Sequence, residues 1–221
     1  MEEVNITFSE FNIEFNENAV IEINAPRAEG DNFISNIINS KIENHIVNML
    51  NFEENESNLL LENALVKFDS EYAKFKNDFE ESALVWEALF EGEVTYQSSK
   101  IISIAINSYL NTGGAHGNMN ITFLNFDPMT GRLLEFHDLI LNKAAFEDVA
   151  KKHFEAAKQA SGKTGFVDYF FGEGFQLPEN IGFTDDGVIL FYNVYEIASY
   201  ADGITEFVIP YNEIEAYLCE Y

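Results

Sequence analysis

Apolar and polar positions alternate from the start of the chain. Val4, Ile6 and Phe8 form one set and Phe11, Ile13 and Phe15 a second, with Ser9-Glu10 breaking the phase between them. Period-two alternation with one slip predicts a bulged strand or two short strands. Asn16-Glu17-Asn18 reads as a turn, and the run from Val20 to Ile23 as a returning strand that stops before Pro26. The period then changes. Asp31-Asn32 offers helix N-caps, and Ile34, Ile37, Ile38, Ile42, Ile46 and Met49 fall on one side of a helical wheel, predicting a helix near 31–50. Residues 51–58 read as a polar connection. A second stripe, Tyr72, Phe75, Phe79, Ala83, Trp86 and Phe90, predicts a helix near 69–91 that begins at Asp69-Ser70 and ends at Gly92.

From Val94 the alternation returns. Ile102, Ile104 and Ile106 face one way and Ser103, Ala105 and Asn107 the other; Met119, Ile121 and Phe123 repeat the pattern after a glycine-rich run. Together they predict a hairpin over 101–110 and 117–126. Asp127-Pro128-Met129-Thr130-Gly131-Arg132 has proline at the second turn position and glycine where a left-handed residue is needed, and Leu133-Leu134 starts a third, short strand. A helix is predicted over 144–160, with Phe146, Val149, His153, Phe154 and Ala157 inward, broken by the sequence at 161–165. Residues 166–175 are aromatic and glycine-rich without a period. Asp185-Asp186-Gly187 between two apolar runs is a hairpin signal, and Phe207-Val208-Ile209 reads as a closing strand before a terminal helix at 212–218. These elements give an α+β fold of antiparallel sheets packed by helices, in two intimately associated subdomains, 1–130 and 131–221.

Composition narrows the partners. The 221 residues are 47% hydrophobic with 21 Phe, enough for a real core, and 38 acidic residues against 12 Lys plus Arg leave a formal charge of -26. A field of that sign repels nucleic acid and anionic lipid, and it suits a cationic partner, a basic protein or a divalent ion. The lone Cys219 precludes an intrachain disulfide and cannot build a zinc site. No stretch is long enough to span a membrane and no signal sequence opens the chain, so the chain is either intracellular or trimmed of an export signal.

Candidate chemistry concentrates in one place. Asn111, Thr112, Gly113, Gly114, Ala115, His116 and Gly117 place three glycines and a titratable ring in the hairpin connection. The glycines permit positive φ and close approach, so the loop is a candidate partner-binding site, the alternative being that His116 only satisfies carbonyls of its own loop. An ordinary imidazole there could also serve as a general base, but no nucleophile-elbow pattern accompanies it. His45, His137 and His153 lie in or beside helix patterns, and none stands at zincin spacing. Asp127, Asp185, Asp186 and Asp202 are turn residues, and Gly162-Lys163-Thr164 lacks the upstream glycine of a phosphate loop. No catalytic residue, intrinsic metal or cofactor is expected.

In chain order, several motifs carry a family resemblance. They are Tyr109-x-x-Thr112-Gly113-Gly114-Ala115-His116-Gly117, Asp127-Pro128-x-Thr130-Gly131-Arg132, Tyr192-x-x-Tyr195-Glu196-Ile197-Ala198-x-Tyr200-Ala201-x-Gly203, and Phe207-Val208-Ile209-Pro210-Tyr211. The early Ile23-x-x-Pro26 before an Asn-rich helix adds to them. The chain resembles the paired domains of unknown function found in the extracytoplasmic part of the anti-sigma factor RsiV and the N-terminal part of the peptidoglycan deacetylase PdaC. The resemblance implies an exported, periplasmic or cell-surface protein. It also implies a binding role, since the equivalent region of RsiV is a lysozyme receptor and the deacetylase keeps its catalytic residues in a different domain. Arg132 stands where the family often has Lys. Three functions stay open: a non-catalytic envelope module that binds or senses a cationic protein such as lysozyme, a binder of peptidoglycan or carbohydrate fragments that uses exposed Tyr and Phe of the 166–175 and 192–200 segments, and a small hydrolase centred on His116.

Overall fold

The computed structural model describes residues 6–51, 59–160 and 169–219. Val4, most of the 51–58 connection, the 161–165 break with its Gly162-Lys163-Thr164, and the start of the 166–175 segment lie outside them.

Strands β1 (Phe8–Phe15) and β2 (Val20–Ala28) form an antiparallel hairpin whose register runs unbroken from Phe8↔Ala28 to Phe15↔Ile21. The expected bulge is absent. The strand begins at Phe8, so the phase change merely puts Phe8 and Phe11 on opposite faces. Glu29 donates its N–H to the Thr7 carbonyl at 2.8 Å. That fixes the alternation: odd residues of β1 bond to β2, and even ones turn their main chain outward. β2 also runs through Pro26 rather than stopping before it. Pro26 pairs with Glu10, one of the non-bonded positions, and the neighbouring ladder to β3 ends at Asn24↔Glu91. The missing N–H therefore costs no ladder bond.

Helix α1 (Phe33–Leu50) follows the prediction, with the Asn32 side chain accepting from the Ser35 N–H and Ile38, Ile42 and Ile46 buried. The helix expected over 69–91 is displaced. Helix α2 spans Leu61–Asp78, and Ala88 and Phe90 belong to β3 (Glu87–Gln97). The apolar stripe extends back through Leu61, Ala64, Leu65 and Phe68, all buried, so the helix starts earlier than Asp69. Past Phe75 the stripe has no core to cover: Phe79 is 59% exposed, while Ala88 and Phe90 bury with strand periodicity. Gly92 lies inside β3, where a Cβ would meet the side chains of Ile106 and Pro26. Asp69 is no cap. Its carboxylate is buried and accepts the N–H groups of Asn18 (2.7 Å) and Ala19 (2.8 Å) and the Asn18 amide (2.6 Å). One helix residue thereby satisfies the turn between β1 and β2.

β4 (Ile102–Asn111) and β5 (Asn118–Phe126) form the predicted hairpin and complete a sheet ordered β1-β2-β3-β4-β5. The sheet is mixed, not antiparallel throughout, because β2 and β3 run parallel. Parallel neighbours need a crossover, and α1 with α2 supplies it. The two helices cover one face, burying Ile23, Phe90, Ile104 and Ile106 among others in the first core.

Leu133 makes a single bridge to Phe126 instead of a third meander strand, because the short helix α3 (Phe136–Leu139) starts at once. Helix α4 (Lys143–Ala160) then leads to a three-stranded antiparallel sheet of β6 (Ile181–Thr184), β7 (Gly187–Tyr192) and β8 (Thr205–Pro210). The terminal helix is α5 (Tyr211–Ile214), extended by a 3-10 turn at Glu215–Tyr217.

The two halves are sewn together along β5 and the face that the helices leave open. Asn193 accepts the Ile121 N–H at 2.8 Å and donates to the Ile121 carbonyl at 3.0 Å; Asn180 accepts the Phe123 N–H at 3.0 Å. Asn125 donates to the Ile181 carbonyl and the Phe183 N–H donates to the Ser103 hydroxyl. A Cβ at Gly182 would fall inside the Phe123 ring, so only glycine lets β6 lie this close.

Candidate functional site

The glycine loop takes the form its residues require. Asn111 ends β4 and its amide reaches toward Glu87 at 3.5 Å. Gly113 and Gly114 have φ of 117° and 96°, backbone that L side chains adopt only under strain. Gly117 serves differently. Its φ is ordinary, but a Cβ there would enter the Tyr109 ring. Thr112 is half-buried and Ala115 exposed.

His116 is exposed and does not merely tie the loop to itself. Its Nδ1 lies 2.9 Å from the Gly117 carbonyl, and its Nε2 lies 3.4 Å from the Tyr195 hydroxyl. The imidazole stacks on Tyr200 with centroids 3.7 Å apart and planes 16° from parallel. Tyr195 and Tyr200 are themselves 5.6 Å apart, 55% and 40% exposed. Two loops separated by 79 positions in the chain thus share one aromatic face.

The second loop is held rigidly. Asn193 grips β5 as described above. Glu196 accepts the N–H groups of Asn193 and Glu179, both at 2.8 Å. Burial raises the Glu196 pKa, and those two N–H groups oppose the shift. Phe170 donates its N–H to the Ile197 carbonyl at 2.7 Å. Between these anchors Tyr195 takes φ of 67°, a left-handed conformation that costs a non-glycine residue about 1–3 kcal/mol. The Ser199 hydroxyl donates to Asp202 at 2.7 Å and shapes the turn carrying Tyr200.

The other predicted histidines do not join this face. His45 is half-buried on α1, where burial lowers its pKa; His153 lies 3.0 Å from Glu213; His137 is exposed near Glu135 and Asp138. Among the described residues no group of three His, Cys, Asp or Glu is placed to hold a metal ion. Sequence reasoning gave the exposed tyrosines of the 192–200 segment to a separate glycan-binding reading, did not join them to the glycine loop, and left Asn193 and Glu196 out. Their signal was the Tyr-rich 192–203 motif; what the sequence lacked was the contact joining it to a loop 79 residues away.

Comparison with known proteins finds two family models along the chain. The family model described as deacetylase PdaC matches residues 13–119, and that described as a protein of unknown function, DUF3298, matches residues 136–212. The two matches lie in series along the chain, the PdaC model first and the DUF3298 model after it. A DUF3298 family member from Bacteroides fragilis superposes with a TM-score of 0.71 at 20% identity, covering 97% of this chain and 94% of its own. A DUF3298 family protein from Pseudomonas aeruginosa gives 0.66 at 22% identity, covering 98% and 94%. No curated protein matches the chain. The site joins the two matched segments: His116 belongs to the PdaC-like part, Tyr195 and Tyr200 to the DUF3298 part.

Proposed function

We propose that the chain is a non-catalytic binding or sensing module of the bacterial envelope that captures a basic protein, of which lysozyme is the type, on the face of His116, Tyr195 and Tyr200. The observation that carries this reading is the exposed stack across the two halves, in a chain of net charge -26. Exposed tyrosine faces attract Lys and Arg side chains, and the surrounding negative field draws a basic partner toward them. The resemblance to the extracytoplasmic regions of RsiV and PdaC supports the envelope setting. Among the described residues the imidazole meets a carbonyl and two tyrosine rings, neighbours that suit recognition of a partner.

Purified lysozyme titrated onto the immobilised chain tests this. Binding should weaken steeply with salt, and His116→Ala or Tyr200→Ala should each weaken it about tenfold or more. Both variants should melt close to the parent, since changes at exposed positions usually stay within about ±0.5 kcal/mol. Absent binding at low salt, or parental affinity in both variants, overturns the reading. The exposed tyrosine rings also favour a second reading, a platform for cell-wall glycan, which predicts binding of muropeptides that salt leaves unchanged.

A further inference from the structure

The two edges of the five-stranded sheet are finished differently. At β5 the side chains of Asn180 and Asn193 occupy the outward main-chain groups of Phe123 and Ile121. At β1, the opposite edge, no strand among the described residues pairs outside it. The alternation fixed by Thr7 and Glu29 leaves the N–H and C=O groups of Phe8, Glu10, Asn12 and Glu14 directed outward. This is a row of main-chain donors and acceptors along an eight-residue strand.

The side chains on that row say what could be added. Glu10, Asn12 and Glu14 are exposed on the face that the helices do not cover, and Glu22, Glu91 and Glu93 continue it on β2 and β3. On the other face Phe11, Ile13 and Phe15 are partly buried against the first core. A second copy of the chain pairing here would bring its own Glu10 and Glu14 against these carboxylates, which like-charge pairs across strands oppose. The geometry points to the free edge of β1 as a strand-addition site for an extended basic segment of a partner protein, with Lys or Arg opposite Glu10 and Glu14 and apolar residues opposite Phe11 and Ile13. Main-chain bonds would supply the affinity and the alternation the selectivity. The site lies on the other edge of the sheet from His116, and it stands or falls independently of the aromatic face.

A synthetic peptide of alternating lysine and valine, matched to β1 in length, serves as the probe. Amide hydrogen exchange should show protection confined to Phe8, Glu10, Asn12 and Glu14 on peptide addition, and this should fade with salt. The Glu10→Lys, Glu14→Lys double variant should bind about tenfold more weakly while melting like the parent. An equally charged peptide with proline at alternate positions, which cannot complete a ladder, should leave these amides unprotected; this control decides the matter even if the double variant folds poorly. Equal protection by the proline peptide, or binding that leaves β1 exchange unchanged, overturns the proposal. So does concentration-dependent protection of β1 in the protein alone, which would make the occupant a second copy.

Discussion

Arg132 and Asp138 illustrate how one residue pair finishes a turn. The guanidinium donates to both Asp138 oxygens, at 2.8 and 3.0 Å, while the same carboxylate accepts the Glu135 N–H at the start of α3. The bidentate Arg132 bond foremost, with that N–H, lowers the Asp138 pKa from 3.8 to about 2. Because the folded value is depressed, the associated stability is fully present above the ordinary carboxylate range and is lost as pH falls from about 4 toward 2. A carboxyl NMR titration should therefore find Asp138 ionised at pH 3, and Arg132→Lys should move its midpoint upward, since an ammonium cannot reproduce the fork. An unmoved midpoint would show that the Glu135 N–H alone sets it. Asp69 carries the complementary lesson. As a residue type it looks like a helix cap, and sequence alone places it there; its real partners, Asn18 and Ala19, are some fifty positions away.

Elements were legible where one period ran long enough and both ends carried local signals. Helix α1 has its Asn32 cap and an isoleucine stripe, and the β4–β5 hairpin has alternation on both sides of a glycine loop. The displaced helix failed for a definable reason. Spacings of three and four persist by coincidence from Phe79 through Trp86 to Phe90, although the chain leaves α2 at Asp78 and enters β3 at Glu87. Neither the parallel pairing of β2 with β3 nor the aromatic face has a local signature, because each arises when distant segments meet. The loop bearing Tyr195 makes a test of such a meeting. Tyr195→Gly removes the left-handed strain and the ring together. Its thermal midpoint should hold or rise, relief being worth about 1 kcal/mol, while lysozyme capture falls. Loss of stability comparable to a core truncation would mean that the ring, and not the backbone around it, holds the loop.

For the whole molecule the charge of -26 is the largest unbalanced quantity. Repulsion among its carboxylates opposes compaction, so added salt should raise the melting temperature even as it weakens capture of a basic partner. Each 1 kcal/mol recovered should appear as about 2–4 °C in a domain of this size. A midpoint insensitive to salt would show that counter-charges already balance the surface. The amide side chains along β5 bear on what happens when the chain is cut. Asn180 and Asn193 lie in the second half, so proteolysis between the halves, followed by their parting, would uncover a long strand with its hydrogen-bonding groups vacant. The severed first half would then offer a bare margin at either end of one sheet, and units with two such margins join in open series. Cleavage near the seam should release a fragment that polymerises; the asparagines keep that hazard latent in the intact chain.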